Sequence, residues 1–263
     1  MSAIGIIGVG NIGGAIAKGL VKHGNIKAED IHISRRNKKR LQSFQEKGFS
    51  CHDDNISLLE KSDMIIVAVL PGQAKDVFEG LAPALQKGRH TIVSGISATS
   101  IDDINQWVQS KVPVVRITPN TAIEFGESMT CIAGSDPVAE SMVDDVFSKM
   151  GTTMVIQEKL MPAAIILAAC GIAFFLRFIR ADTQGGIQIG FNAEQAGKIA
   201  AQTAKGAAEI LLSTGNHPER EIDKVTTPMG ITITGLNEME HYGLSSALIK
   251  GIIASHSGIR ELK

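Results

Sequence analysis

The sequence of 263 residues is poor in cysteine and in aromatic residues. Its three cysteines, Cys51, Cys131 and Cys170, lie far apart and form no C-x-x-C pair, so neither a disulfide framework nor a thiolate metal site is indicated. Aromatic residues make up 4% of the chain and apolar residues 44%, a balance typical of a globular protein rich in small and branched side chains. At roughly 150 residues per domain, this length predicts one large domain or two smaller ones.

The chain also lacks an excess of charge of either sign. Its 26 basic and 27 acidic residues give a formal net charge of −1. The sequence has no polybasic tract that would neutralise a phosphate backbone. We therefore expect neither nucleic acid nor an anionic membrane surface as a partner. The seven histidines show no H-x-x-x-H or H-E-x-x-H spacing, and we expect no metal site.

Two further absences concern targeting. The first residues carry no charged segment followed by an apolar stretch and a cleavage site, so we expect a cytoplasmic protein. The longest uncharged run, Leu160 to Leu176, has 17 residues and includes Pro162 and Gly171, whereas a helix that spans a membrane needs about 20 residues. We interpret this run as a buried or interface helix.

The hydrophobic pattern divides the chain into two parts. In residues 1–156, short β-branched runs alternate with helical stretches, which predicts βαβ units and a doubly wound parallel sheet. The predicted strands are Ala3 to Gly8, Asp30 to Ser34, Met64 to Leu70, Thr91 to Ser94, Val112 to Thr118 and Thr152 to Ile156. In residues 157–263 the strand signals fade, and a helical domain is predicted. Its long segments are Pro162 to Arg180, Asn192 to Leu212 and Leu244 to Leu262.

A glycine-rich turn follows the first predicted strand. It reads Gly8-Val9-Gly10-Asn11-Ile12-Gly13 and opens the first helix, which is the context in which G-x-G-x-x-G indicates a dinucleotide site. The first glycine allows the tight turn, the second leaves room for the pyrophosphate, and the third lets helix and strand pack closely. The N–H groups at the helix N-terminus would bind the phosphates. The predicted cofactor contacts here are Gly8, Gly10, Asn11, Ile12 and Gly13.

The end of the second predicted strand indicates which dinucleotide binds. An NAD-binding chain places Asp or Glu there, whereas this chain reads Ser34-Arg35-Arg36. Ser34 can hydrogen-bond a 2′-phosphate, and Arg35 or Arg36 can make charge-assisted contacts with it. We therefore predict NADPH as the cofactor, with NADH possible.

These motifs, with several later ones, resemble the pyrroline-5-carboxylate reductase family nearly end to end. The later motifs are Asp54-Asn55, Ala68-Val69-Leu70-Pro71, Arg116 to Thr121, Ala201 to Ala208, Gly215 to Pro218 and Asp223 to Thr232. The resemblance implies an α/β fold with an N-terminal Rossmann domain and a C-terminal all-helical dimerisation domain. It also implies a homodimer or higher homo-oligomer that reduces the cyclic imine 1-pyrroline-5-carboxylate to L-proline with NADPH, the last step of proline biosynthesis.

The resemblance further assigns residues to the cofactor. It implies that Asn55 contacts the adenosine ribose and that Asn120 lies near the nicotinamide. It also implies that the middle of the cofactor is lined by Ala68, Val69, Leu70 and Pro71.

A threonine-rich segment carries the predicted substrate site. Pro228 and Gly230 break the chain before a predicted helix, Ile231 to Glu240, which leaves N–H groups to receive a carboxylate. Under the resemblance, Thr232 is the catalytic residue, because its hydroxyl would polarise the imine nitrogen and relay a proton from water. Turn and capping roles are the alternative for these threonines. The predicted substrate-binding residues are Thr227, Gly230, Ile231 and Thr232.

Departures from the family pattern leave the substrate open. Leu70 stands where many relatives have lysine, and Met229 replaces a glycine. Arg177 and Arg180 lie in a helix that carries an acidic residue in relatives. The segment Ala169 to Phe174 replaces a G-S-G-P-A-Y turn. Two alternatives follow: an NADP-dependent reductase of another small cyclic imine or carbonyl acid, and a non-catalytic dinucleotide-binding sensor.

Overall fold

The computed structural model describes residues 3–109 and 111–259. The first compact unit extends to Cys170 and also includes the chain from Ser255, and the second unit is Gly171–Ala254. The division predicted between residues 156 and 157 follows the last strand, whereas the compact units divide after Cys170. The domain boundary therefore stays a prediction.

One eight-stranded sheet forms the framework of the first unit. Its strands are β1 Ile4–Ile7, β2 Ile31–Ser34, β3 Ser50–His52, β4 Met64–Val67, β5 Thr91–Ser94, β6 Val114–Thr118, β7 Ser128–Gly134 and β8 Gly151–Val155. They lie in the order β3-β2-β1-β4-β5-β6-β7-β8. All neighbouring strands run parallel except β6 and β7, which are antiparallel. The order of the first six strands is that of a Rossmann domain, and the predicted fold class is confirmed.

Two strands were missing from the prediction, and the sheet is not wholly parallel. Strand β3 has only three half-buried residues, none of them β-branched. Strand β7 alternates between polar and apolar residues, and only Thr130 and Ile132 are β-branched, so its pattern is weak. Its reversed direction follows the connection Thr121–Phe125, which ends at Gly126 in the left-handed conformation.

Helices cover both faces of this sheet. They are α1 Asn11–Lys22, α2 Gln42–Gln45, α3 Asn55–Glu60, α4 Ala74–Leu81, α5 Ile101–Trp107, α6 Pro137–Phe147 and α7 Met161–Ala164. Successive strand residues face opposite sides, so Ile66 packs in the core with Leu20 of α1 whereas Ile65 packs in the core with Phe78 of α4. This double burial explains why the central strands read as continuous apolar runs.

A long helical run, Glu158–Gln188, contains α7, a π-helical turn at Ile165–Cys170, and α8, Gly171–Gln188. The segment Ala169 to Phe174 is therefore helical and does not form a separate turn. By length and composition alone this run could cross a membrane, a test that core helices of water-soluble proteins also pass. Only 22% of the most apolar part of this run is buried within the chain. Most of its apolar surface is therefore exposed.

The remaining helices are α9 Ala193–Thr214, α10 Pro218–Val225, α11 Ile231–His241 and α12 Leu244–Ile259. The sequence did not predict α10. The capping box that begins α9 forms, with Asn192 Oδ1 accepting from the Gln195 N–H at 2.9 Å. Helices α8 and α9 lie close together at Gly186. A Cβ added there would lie 3.0 Å from the Ala196 Cβ.

Candidate active site

The three glycines of the turn after β1 do three different things. Gly8 has φ +96°, and a Cβ there would lie 2.7 Å from the Ala68 carbonyl oxygen. A Cβ at Gly13 would collide with the Gly8 carbonyl oxygen, so Gly13 permits helix packing. At Gly10, by contrast, a Cβ would meet nothing within 4 Å among the described residues. The open space at Gly10 is where a ligand can approach the backbone.

The N-terminus of α1 adds a charge preference to this space. Gly10 is the N-cap residue, and it supplies no side-chain cap to the first turn. Asn11 is exposed and Ile12 half-buried at that end. Free N–H groups and the positive end of the helix dipole favour an anion there. Open backbone next to such a helix end fits the pyrophosphate of a dinucleotide.

A polar pair connects β2 to α3. Ser34 is buried, and its Oγ donates to Asn55 Oδ1 at 2.8 Å. Asp54 caps α3 by accepting from the N–H groups of Ile56 and Ser57. The Ser57 N–H bond holds the pKa of Asp54 below its ordinary value, because it stabilises the carboxylate. The cap thus fixes the helix end that presents Asn55 to Ser34.

The two arginines after β2 have different partners. Arg35 Nη1 donates to the Val9 carbonyl oxygen at 2.6 Å, which ties β2 to the glycine turn. Arg36 is exposed. With the Gln73 carboxamide oxygen turned toward it, Arg36 donates to that oxygen from Nη2 at 2.9 Å and from Nη1 at 3.2 Å. Gln73 was not among the predicted site residues.

The segment after β4 lies against the glycine turn, and its predicted contact with the middle of the cofactor stays a prediction. The Ala68 N–H donates to the Ile7 carbonyl oxygen at 2.9 Å and so continues the pairing of β4 with β1. Val69 Cγ1 would lie 2.8 Å from a Cβ at Gly8. Leu70 is 70% exposed, and Pro71 opens the short turn that follows. Leu70 is therefore an exposed apolar side chain near the carboxyl ends of the parallel strands, where dinucleotides bind.

Asn120 is buried, and both ends of its amide have partners within the first unit. Its Oδ1 accepts from the Ala122 N–H at 2.9 Å, and its Nδ2 donates to the Ala168 carbonyl oxygen at 3.0 Å. The bond to Ala168 connects the end of β6 to the π-helical turn, and the bond from Ala122 stabilises the turn that follows β6. They give Asn120 a positioning role, and its predicted contact with the nicotinamide stays a prediction.

One buried charge received no role from the sequence. Arg116 of β6 is only 6% exposed, and its Nη1 donates to Glu158 Oε1 at 3.1 Å. The same oxygen accepts from the Ile101 N–H at 2.6 Å, at the start of α5. A charge in the apolar run V-V-R-I-T was the available signal, because a buried arginine needs a partner.

The threonine-rich segment in the second unit begins α11 as predicted. The Gly230 N–H donates to the Thr227 carbonyl oxygen at 2.8 Å. A Cβ at Gly230 would lie 2.9 Å from that oxygen, so the turn requires glycine. Gly230 gives the first turn of α11 no side-chain cap. Thr227, Ile231 and Thr232 are all exposed at this helix end, where an anion is favoured.

Met229 has a backbone conformation that glycine adopts more readily than other residues. Its φ is +57°, a value that side chains other than glycine adopt at some cost. The side chain is fully exposed and therefore does not cover Thr227 or Gly230 within this unit.

Family models match both parts of the chain. The model described as pyrroline-5-carboxylate reductase dimerisation matches residues 158–262. The model described as NADP oxidoreductase, coenzyme F420-dependent, matches residues 3–97. The two matches fall on the helical part and on the glycine turn with its surrounding strands.

Individual proteins match over nearly the whole chain. Pyrroline-5-carboxylate reductase 2 of Dictyostelium discoideum is 43% identical, over 96% of this chain and 90% of its own length. Pyrroline-5-carboxylate reductase 1 of the same organism is 42% identical over 97% of this chain, which spans only 48% of that protein. The crystal structure of Plasmodium falciparum pyrroline carboxylate reductase with NADP bound has a TM-score of 0.90 at 24% identity, over 99% of this chain and 98% of its own. The resemblance is confirmed: the chain belongs to the pyrroline-5-carboxylate reductase family.

Proposed function

We propose that this chain is an NADPH-dependent oxidoreductase that reduces 1-pyrroline-5-carboxylate to L-proline, the last step of proline biosynthesis. One observation carries the proposal. The chain combines an open glycine turn at an uncapped helix end with an exposed threonine segment at a second uncapped helix end. Relatives named pyrroline-5-carboxylate reductase share both parts of the chain at 42–43% identity.

The dinucleotide fits the geometry of the first unit. Gly10 and the first turn of α1 would hold the pyrophosphate, and Ser34 with Asn55 would face the adenosine ribose. The absence of a carboxylate at the end of β2 favours a 2′-phosphate, and the structural relative from P. falciparum has NADP bound. Residues Ala68–Pro71 would line the middle of the cofactor. When bound, the reduced nicotinamide supplies a hydride.

The substrate needs three things from the protein: a place for its carboxylate, orientation of its C=N bond, and a proton for nitrogen. The N–H groups at the start of α11, with the Thr227 hydroxyl, would bind the carboxylate. The Thr232 hydroxyl would donate to the imine nitrogen and relay a proton from water. A protonated imine is already electrophilic, so this chemistry needs no metal.

The second unit supports a homodimer or a higher homo-oligomer as the working form. Many of its large apolar side chains are at least one-third exposed, more than a monomer in water normally leaves uncovered. The dimerisation family model covers this region. The exposed apolar side chains of the second unit include Phe175, Leu176, Phe178, Ile189, Ile199, Leu212, Tyr242, Leu248, Ile249 and Ile253. A second copy of the chain would cover the apolar surface of α8, so no membrane partner is needed to cover it. We therefore propose that the enzyme is cytoplasmic.

The test is NADPH oxidation with 1-pyrroline-5-carboxylate, run in parallel with a six-membered cyclic imine acid and with unsubstituted 1-pyrroline. We expect turnover to be fastest with 1-pyrroline-5-carboxylate. The helical Ala169 to Phe174 segment and Met229 are the features that favour another cyclic imine. Turnover of another imine alone would contradict the proposal in favour of that alternative. Tight NADPH binding without turnover of any imine would contradict the proposal and favour a non-catalytic sensor.

A further inference from the structure

We infer that Arg36 and Gln73 form a clasp across the carboxyl end of β1, and that Gln73 positions Arg36 for the 2′-phosphate of the dinucleotide. The inference rests on the proposed function, because it assigns selectivity for NADP over NAD to particular residues. Gln73 would act as a positioning residue, since it holds the guanidinium and need not touch the phosphate.

The sheet order gives the clasp its location. Strand β1 lies between β2 and β4. Arg36 belongs to the chain that leaves β2, and Gln73 to the chain that leaves β4. With the Gln73 carboxamide oxygen turned toward Arg36, the hydrogen bonds between them at 2.9 and 3.2 Å cross the carboxyl end of β1, where the glycine turn begins. The adenosine part of a dinucleotide binds near the carboxyl ends of these strands.

The neighbouring Arg35 does a different job. Its bond to the Val9 carbonyl oxygen at 2.6 Å stabilises the glycine turn itself. NAD and NADP both place their pyrophosphate on that turn, so Arg35 should serve the two dinucleotides equally. Arg36, exposed and directed across the turn, carries the charge that distinguishes them.

The chemistry of Gln73 suits a positioning role. Its backbone is fixed, because it closes the turn Pro71–Gln73 and its N–H donates to the Leu70 carbonyl oxygen at 2.9 Å. A neutral carboxamide can orient a guanidinium without neutralising it, whereas a carboxylate would cancel its charge. A guanidinium already held in place loses less side-chain entropy when the phosphate binds.

The experiment is isothermal titration calorimetry of the full chain with NADP⁺ and with NAD⁺. We expect Gln73→Ala to weaken NADP⁺ binding about threefold, because Arg36 loses the acceptor that orients it, and to change NAD⁺ binding less than twofold. We expect Gln73→Glu to weaken NADP⁺ binding about tenfold, because its carboxylate would cancel the charge of the guanidinium. We expect Arg36→Gln to weaken NADP⁺ about tenfold or more. The matched control, Arg35→Gln, should weaken both dinucleotides by the same factor.

Two results would overturn the clasp. One is Gln73→Ala protein that binds NADP⁺ as tightly as the wild type or more tightly, and the other is an Arg35→Gln variant with the selective loss expected of Arg36→Gln. Gln73→Met keeps the length of the side chain without the acceptor, and it should show the same selective loss even if alanine lowers the Tm. A wild-type protein that binds neither dinucleotide would overturn the proposed function and the clasp together. Normal wild-type binding with an unaffected Gln73→Ala variant would overturn the clasp alone.

Discussion

Gly10 has open space where a Cβ would lie, whereas Gly13 has the Gly8 carbonyl oxygen there. The two positions therefore separate cofactor binding from folding. We expect Gly10→Ala to leave the Tm close to that of the wild type but to weaken NADPH binding at least about tenfold, because the added methyl occupies the approach to the pyrophosphate. Gly13→Ala should lower the free energy of unfolding by about 1–3 kcal/mol.

Thermal melts monitored by circular dichroism, together with NADPH titrations, distinguish the two variants. A Gly10→Ala variant that binds NADPH normally would show that the pyrophosphate does not approach this glycine. An unchanged Tm for Gly13→Ala would show that α1 can shift away from β1.

Thr232 is exposed in the first turn of α11, and the proposed reaction uses its hydroxyl at the imine nitrogen. We expect Thr232→Ala to lower kcat about a hundredfold, as removal of a proton-transfer group does. The Kd for NADPH should change less than about twofold, because the hydroxyl orients the imine and not the dinucleotide. Thr232→Ser should recover part of the lost kcat. Steady-state kinetics and NADPH titration check these expectations.

Thr234 supplies the control for this variant, since its Oγ1 donates to the Gly230 carbonyl oxygen at 3.1 Å in the same turn. We expect Thr234→Ala to keep a kcat within about threefold of the wild type, because it loses one exposed hydrogen bond. Equal losses in the two variants, or an unchanged kcat for Thr232→Ala, would remove Thr232 from the mechanism.

Glu158 connects two secondary-structure elements, β6 and α5, through Arg116 and the Ile101 N–H. Removing the carboxylate leaves a buried guanidinium without this acceptor. We expect Glu158→Ala to lower the free energy of unfolding by about 3 kcal/mol. Urea unfolding measures the change.

The exposed pair Lys75–Glu79 on α4 provides the matched control. Glu79→Ala should cost less than about 1 kcal/mol, since exposed ion pairs contribute little. A Glu158→Ala loss as small as that of Glu79→Ala would show that the buried bridge does not hold these elements together.

The sequence predicted the elements whose signals are local. The glycine turn, the helix that it opens, the capping box at Asn192 and the start of α11 at Gly230 are set by residues within a few positions of one another. Strands β3 and β7 were missed because the pairing of strands distant in sequence determines them. The different hydrogen-bond partners of Arg35 and Arg36 could not be predicted for the same reason. Val9 and Gln73 come near these arginines only through the order of β2, β1 and β4.

The exposed apolar surface of the second unit supports the proposed self-association of the molecule. We expect a particle mass of at least two chains of 27.9 kDa in sedimentation equilibrium at micromolar concentration without detergent, because burial of apolar surface drives assembly. A monodisperse single chain under these conditions would contradict the proposed dimer. Solubility only in detergent would instead indicate that lipid covers α8.

We propose that this chain transfers a hydride from NADPH to the imine carbon of 1-pyrroline-5-carboxylate. The most direct test uses NADPH deuterated on the nicotinamide carbon that donates the hydride, with mass spectrometry and NMR of the product. Each of the two faces of that carbon is labelled in turn. With one of the two labels, we expect L-proline that carries one deuterium on the ring carbon formerly doubly bonded to nitrogen. The amount of L-proline should equal the amount of NADPH consumed. Deuterium absent from proline with both labels, or NADPH consumed without proline, would contradict the proposal.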